Sequence, residues 1–132
     1  MTRDEFVKTY TDFLKCAERL NEKARREGLL SLEEEIEDLD DEYFKMGLRF
    51  IVDGISSQII DEIFSNYIAF EKDEDEHRFK TIKKRALLGI QEGMNFRILF
   101  FILNSYANLS QDEQKKIECE MLKDTYNSDG LI

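Results

Sequence analysis

Apolar residues recur every three or four positions along most of this 132-residue chain, which is the spacing of amphipathic α-helices. The first such segment runs from about Thr2 to Glu27 and starts with a Thr2-x-x-Glu5 capping box. Charged residues fill its remaining faces. The pattern therefore predicts a long first helix whose packed face comprises Phe6, Tyr10, Phe13, Leu14, Ala17, Leu20 and Ala24.

Six further segments combine helical spacing with sequence signals for helix ends. Ser31 with Glu34 and Ser110 with Glu113 form capping-box patterns, and Gly93 suits the left-handed turn after a helix. Proline, which would break a helix, is absent. We therefore predict an all-α fold, a bundle of six to seven helices in a single domain over 1–132 with a frayed tail at 127–132. The predicted helices after the first span about 31–38, 41–53, 57–69, 75–92, 96–107 and 110–125.

The predicted helix at 96–107 is apolar over most of its circumference, which is typical of a central helix or of a contact between copies of a chain. Any exposed part of its phenylalanine cluster would form an apolar surface suited to a homo-oligomer. The candidates for self-association are therefore Phe96, Phe100 and Phe101. The predicted helix at 57–69 is also rich in apolar residues, and its spacing turns inward Ile59, Ile60, Ile63, Phe64, Tyr67 and Ile68.

The chain carries a formal net charge of −10 at pH 7, which argues against binding to nucleic acids or anionic membranes, because both attract cationic surfaces. The longest apolar run, Ile98 to Leu103, has six residues, whereas a membrane-spanning helix needs about 20. The N-terminus lacks the apolar segment of a signal peptide, and Cys16 and Cys119 lack disulfide or metal spacing. We therefore expect a cytoplasmic protein without membrane insertion.

Two acidic stretches, at 38–42 and 73–76, are the candidates for metal binding. Glu74-x-x-His77 has the spacing of a ferritin-like iron ligand pair, but that site needs the motif twice and the chain has one histidine. An EF-hand in the first stretch would need glycine where Tyr43 stands. No nucleotide-binding or nucleophile motif occurs. We therefore predict a non-enzymatic chain without metal or cofactor, with a metal- or ligand-binding helical module as the alternative.

The densest charge lies where a basic helix end precedes an acidic helix start, in a segment that we term the charged knuckle (residues 25–36). Arg25 and Arg26 end the first helix, a glycine turns the chain, and Glu33 and Glu34 open the second helix. Both placements suit the helix dipole, which favours cations at a C-terminus and anions at an N-terminus. Spacing alone favours this helix-end role over a partner-binding surface.

Two separate blocks of the sequence carry a family resemblance. The first comprises ARREGLLSLE at 24–33 with GLRFIVDG at 47–54, and the second comprises ALLGIQEGMNFR at 86–97. Together they resemble the cytoplasmic region of the flagellar stator protein MotA, in the MotA/TolQ/ExbB-like family. The polar segment 70–77 stands where that family has a pair of membrane helices. The resemblance thus implies a helical domain that lacks the transmembrane helices, and the Met1 start favours a natural paralogue over an excised piece.

The resemblance also implies partners. In the family, one basic and one acidic residue of this loop face the rotor switch protein, and by residue match these positions fall on Arg25 and Glu33, with Arg26 and Glu34 beside them. We expect a soluble interaction domain at the cytoplasmic face of the flagellar motor that binds the rotor switch protein or stator units. Three roles stay open: a brake, decoy or spacer on the rotor, an accessory stator subunit, or a regulatory interaction unrelated to motility.

Overall fold

The computed structural model describes residues 1–129, with side chains described as far as Leu122. Over 1–129 it contains seven α-helices, one 3₁₀ turn and no strand, which confirms the predicted all-α fold. The elements are α1 (Arg3–Glu27), the 3₁₀ turn (Leu29–Leu32), α2 (Glu33–Ile36), α3 (Glu42–Val52), α4 (Ser57–Phe70), α5 (Glu74–Glu92), α6 (Phe96–Ala107) and α7 (Gln111–Asp129).

Most helix ends follow the local signals in the sequence. The Thr2 hydroxyl accepts the backbone N–H of Glu5 while the Glu5 carboxylate accepts that of Thr2, so the predicted capping box is present. Ser110 and Glu113 form the same reciprocal pair before α7. The last helix reaches Asp129, beyond its predicted end near 125. The remainder of the predicted frayed tail, 130–132, lies outside the described residues.

Two helices, α1 and α5, form the centre of the fold. α1 contacts the 3₁₀ turn, α5, α6 and α7, whereas α5 contacts α1, α3, α4 and α6. The predicted stripe of α1 is buried along nearly its whole length, from Phe6 to Ala24. Inside it, the Tyr10 hydroxyl donates to Asn104 Oδ1 of α6 at 2.6 Å. Because α1 is packed on several sides, the knuckle at its C-terminal end is attached to a helix that is held in place.

Two glycines let the helices around α5 approach closely. A Cβ atom on Gly47 of α3 would clash with the side chain of Leu87, and a Cβ on Gly89 of α5 would lie 2.7 Å from Leu99 Cδ1. Leu87 and Leu99 are themselves fully buried, so neither can move aside easily. At each glycine, the missing side chain therefore leaves the space into which a leucine of a neighbouring helix packs.

The inward face of α4 is narrower than its sequence pattern predicts. Ile60 and Phe64 are buried as expected, but Ile59 and Tyr67 are 53% and 49% exposed, so their inward placement was wrong. The physical reason is that α4 packs mainly on α5 and meets α3 through the rings of Tyr43 and Phe50 against Phe64, and these contacts cover only a narrow stripe of α4. Phe70, at the end of α4, is also exposed.

Candidate functional site: the charged knuckle

The charged knuckle turns the chain sharply from α1 into α2. Gly28 has a φ of +91°, a conformation that glycine adopts without steric cost, and its N–H donates to the carbonyl of Ala24 at 2.8 Å. Ser31 then donates twice to the Gly28 carbonyl, from its backbone N–H at 3.1 Å and from its hydroxyl at 2.6 Å. These bonds hold the 3₁₀ turn in one conformation.

The predicted Ser31–Glu34 capping box is wrong. A capping residue needs extended backbone, but the 3₁₀ turn runs directly into α2 and the residue before α2, Leu32, is helical with φ −66° and ψ −19°. The Ser31 hydroxyl is therefore used within the turn, and Glu34 instead pairs with Lys23 of α1. As a result α2 spans only Glu33–Ile36, inside the predicted 31–38.

The inner face of the knuckle is anchored to the rest of the fold. Leu32 and Ile36 are buried, and Glu35 lies beside them on the same face, as its spacing predicts. Lys23 Nζ lies 3.0 Å from Glu35 Oε2, and Arg19 also donates to the Glu35 carboxylate. These two hydrogen bonds, that from Lys23 first, lower the pKa of Glu35 below its usual range. Glu35 therefore serves the fold.

The outer face of the knuckle carries charges without partners. Arg25, Arg26 and Glu33 are all exposed, and within the part of the chain that the structure describes none of them forms an ion pair or a side-chain hydrogen bond. Leu30 lies between them in the chain and is 73% exposed. Exposed charges of both signs on such a turn can pair with opposite charges on another protein. No ion pair within this protein has to break for them to do so.

The four predicted partner-binding residues therefore separate into two groups. Arg25, Arg26 and Glu33 are available, whereas Glu34 Oε2 lies 2.9 Å from Lys23 Nζ. That pair holds Glu34 loosely, because 73% of the Glu34 side chain is exposed and surface ion pairs contribute little free energy. The four residues thus lie at the two helix ends that the 3₁₀ turn joins, and Glu34 is the one already engaged.

The three candidates for self-association are also divided by the fold. Phe96 and Phe100 are buried, with 6% and 1% exposure, so neither contributes to a surface on this monomer. Phe101 is 48% exposed, and Ile98 beside it on α6 is 56% exposed. The exposed part of the predicted cluster is therefore small, and self-association through Phe101 stays a prediction.

The acidic stretches are occupied by structural contacts. Asp41 caps α3 by accepting the N–H of Phe44, and its carboxylate lies 2.7 Å from Lys83 Nζ. Asp73 caps α5 by accepting the N–H of Glu76. Among the side chains that the structure describes, which end at Leu122, no three His, Cys, Asp or Glu residues converge as a metal site would require. Both stretches thus have roles in starting helices.

Two features of the surface escaped the sequence analysis. Leu30 reads as part of an apolar trio with its neighbours Leu29 and Leu32, which are half-buried and buried, so spacing gave no reason to expect its exposure. Tyr67 and Phe70 follow Ile59 at offsets of eight and eleven, which is helical spacing. Ile59 and Phe70 therefore lie on one side of α4, whereas Tyr67 lies at the border of the buried face, where its ring also contacts Tyr43 of α3.

Comparison with known proteins yields matches to one named group. The chain is 36% identical over 89 residues to Motility protein A of Borreliella burgdorferi, 41% identical over 75 residues to that of Treponema phagedenis, and 37% identical over 78 residues to that of Bacillus subtilis. These alignments cover 64%, 57% and 59% of this chain. No family model matches.

The matches cover only part of those relatives. The aligned regions span 33%, 29% and 26% of the three proteins, so the chain corresponds to about a third of their length or less. Within residues 1–129, none of the helices combines the length and the apolarity that crossing a membrane requires. The relationship therefore concerns a part of each relative.

Proposed function

We propose that this chain, a homologue of Motility protein A lacking transmembrane helices in its described residues, binds a component of the flagellar motor through the charged knuckle. The proposed partner is the rotor switch protein, the proposed place is the cytoplasmic face of the motor, and the proposed role is non-enzymatic. The observation that carries the proposal is that Arg25, Arg26 and Glu33 stay exposed and unpaired among the described residues while their neighbours Glu34 and Glu35 are paired.

The physical chemistry of the knuckle suits a contact that forms and releases repeatedly. Exposed ion pairs contribute about 0–1 kcal/mol each, so they do not hold two proteins together for long. They do accelerate encounter and fix the orientation of approach. Arg25 and Arg26 would pair with acidic groups on the partner, and Glu33 would pair with a basic group near those acidic groups. A chain with this surface would compete with stator proteins for the same rotor sites.

Binding to the purified torque-generating domain of the rotor switch protein tests the proposal. The titration is run at low salt and across a salt series with the wild type, Arg25→Glu and Glu33→Lys. The control matched to Arg25→Glu is Lys72→Glu, which makes the same charge change at an exposed lysine outside the knuckle. We expect saturable binding that weakens with salt and with each knuckle reversal, while the control binds like the wild type.

Two outcomes would count against the proposal. Absence of binding up to about 1 mM, equivalent to about −4 kcal/mol, would leave the knuckle charges with their helix-end role alone. Equal weakening by Lys72→Glu would show that net charge, and not the knuckle, controls the association. In either case the same titration against stator units tests the alternative of an accessory stator subunit.

A further inference from the structure

Leu30 is the apolar residue at the tip of the knuckle, and its exposure is imposed by the fold. Its side chain is 73% exposed, whereas Leu29 is half-buried and Leu32 is fully buried. The turn cannot rotate to hide Leu30 without breaking the two hydrogen bonds from Ser31 to the carbonyl of Gly28 and withdrawing Leu32 from the core. The leucine is therefore held outward on a rigid support.

Single exposed apolar residues are common on protein surfaces and need no explanation by themselves. The setting of Leu30 is different, because the unpaired cations Arg25 and Arg26 precede it and the unpaired anion Glu33 follows it. An apolar residue flanked in the chain by exposed charges of both signs is suited to a small protein–protein contact, in which polar residues beside the anchor keep water from it. The exposed apolar residues on α4 lie outside the knuckle.

We propose that Leu30 is the apolar anchor of the knuckle and inserts into an apolar socket on the partner protein. The socket would be bordered by acidic groups on the side that meets Arg25 and Arg26, and by a basic group on the side that meets Glu33. This inference rests on the proposed function and adds to it that the charged residues and the leucine have different roles in binding. The charges govern the rate of encounter, and the leucine governs the rate of release.

A leucine anchor also suits a contact that must be broken. Burying one aliphatic side chain adds a modest amount of binding free energy, and part of Leu30 is already covered in the free protein. The anchor thus lengthens the contact without making it permanent. An aromatic residue at this position would bury more surface and slow release further.

The inference is tested with three variants against the purified torque-generating domain of the rotor switch protein. Leu30→Ala removes the anchor, Leu30→Met keeps an apolar side chain of similar volume, and Ile59→Ala is the control at another exposed aliphatic residue. We expect Leu30→Ala to raise the Kd about tenfold, mostly through faster dissociation. We expect the slope of log Kd against log salt to stay unchanged, because no charge is altered. Leu30→Met and Ile59→Ala should bind like the wild type.

The outcomes separate this inference from the function on which it rests. If the wild type binds and Leu30→Ala binds equally well, the anchor is refuted while rotor binding stands. If Ile59→Ala weakens binding as much as Leu30→Ala, the apolar contact is not specific to the knuckle and the anchor is again refuted. If the wild type does not bind at all, the proposed function fails and the anchor fails with it. Circular dichroism confirms that each variant is folded. Leu30→Gln, which puts a polar side chain of similar length at this position, replaces the alanine variant if that variant is not folded, and it should weaken binding in the same way.

Discussion

The Lys23 ammonium lies 3.0 Å from the Glu35 carboxylate, and this pair joins the last turns of α1 to α2 across the knuckle. The same ammonium lies 2.9 Å from Glu34 Oε2, so one lysine holds two consecutive residues of the short helix. A four-residue helix has almost no stability of its own. Its place in the structure must therefore come from these contacts and from the buried side chains of Leu32 and Ile36.

Neutralising Glu35 should loosen the knuckle without unfolding the protein. Glu35→Gln removes the anion that faces both Arg19 and Lys23, so the turn should open more often. We expect amide hydrogen exchange over 29–36 to accelerate about threefold, as suits the loss of partly exposed ion pairs. Glu33→Gln is the control, because Glu33 has no such partners among the described residues. Equal exchange in the two variants would show that the ion pairs do not hold the turn.

Acid should weaken the attachment of α7 to α1 through Glu113. Arg3 Nη2 lies 2.7 Å from Glu113 Oε1, and this bond, with that from the Ser110 N–H, lowers the pKa of Glu113 to about 2 from its usual 4.5. A carboxylate with a lowered folded-state pKa stabilises the fold above its unfolded pKa, and the contribution is lost as the pH falls toward the folded pKa.

Thermal unfolding of the wild type and Glu113→Gln between pH 7 and pH 2 measures this contribution. The variant should have the lower Tm at pH 7, and the gap should narrow as the pH falls through the interval from about 4.5 to about 2. A gap that is constant over this interval would mean that the Arg3 pair adds no pH-dependent stability.

Removing the Tyr10 hydroxyl should destabilise the core. It donates at 2.6 Å to Asn104 Oδ1, and both residues are buried, so Tyr10→Phe leaves a buried acceptor without its donor. We expect the free energy of unfolding to fall by about 1–3 kcal/mol in urea denaturation. Tyr106→Phe makes the same chemical change at a residue that is 42% exposed, and should leave stability unchanged. A similar loss in both variants would rule out the buried hydrogen bond as the cause.

Helix positions and most caps could be predicted from the sequence because their causes are local. The Thr2–Glu5 and Ser110–Glu113 boxes each depend only on residues within one turn, and both are present. Ser31 and Glu34 show the limit of such motifs. The same S-x-x-E pattern forms no cap there, because the packing of Leu32 keeps the backbone helical where a cap needs it extended.

Exposure was harder to predict because it depends on neighbouring helices. Periodicity identified the apolar residues of α4 and α6, yet it could not show that the helices packed on α4 cover only part of its apolar face, which leaves Tyr67 half exposed. Phe100 and Phe101 are adjacent and chemically identical, but one is buried and the other half exposed. For the knuckle, the charges were evident in the sequence. Which of them lack an ion-pair partner depends on the fold, because Lys23 of α1 pairs with Glu34 and Glu35.

The length of α1 gives the knuckle a mechanical property. Its 25 residues form an uninterrupted rod of about 37 Å, with Arg25 and Arg26 at one end and the Arg3–Glu113 clasp near the other. A force on the two arginines would act on the end of α1, which is packed into the bundle along its buried face. The force would be transmitted to the helices packed on α1, because no flexible linker lies between them and the arginines. The end of α1 would therefore move little relative to the bundle, and the whole domain would rotate with it.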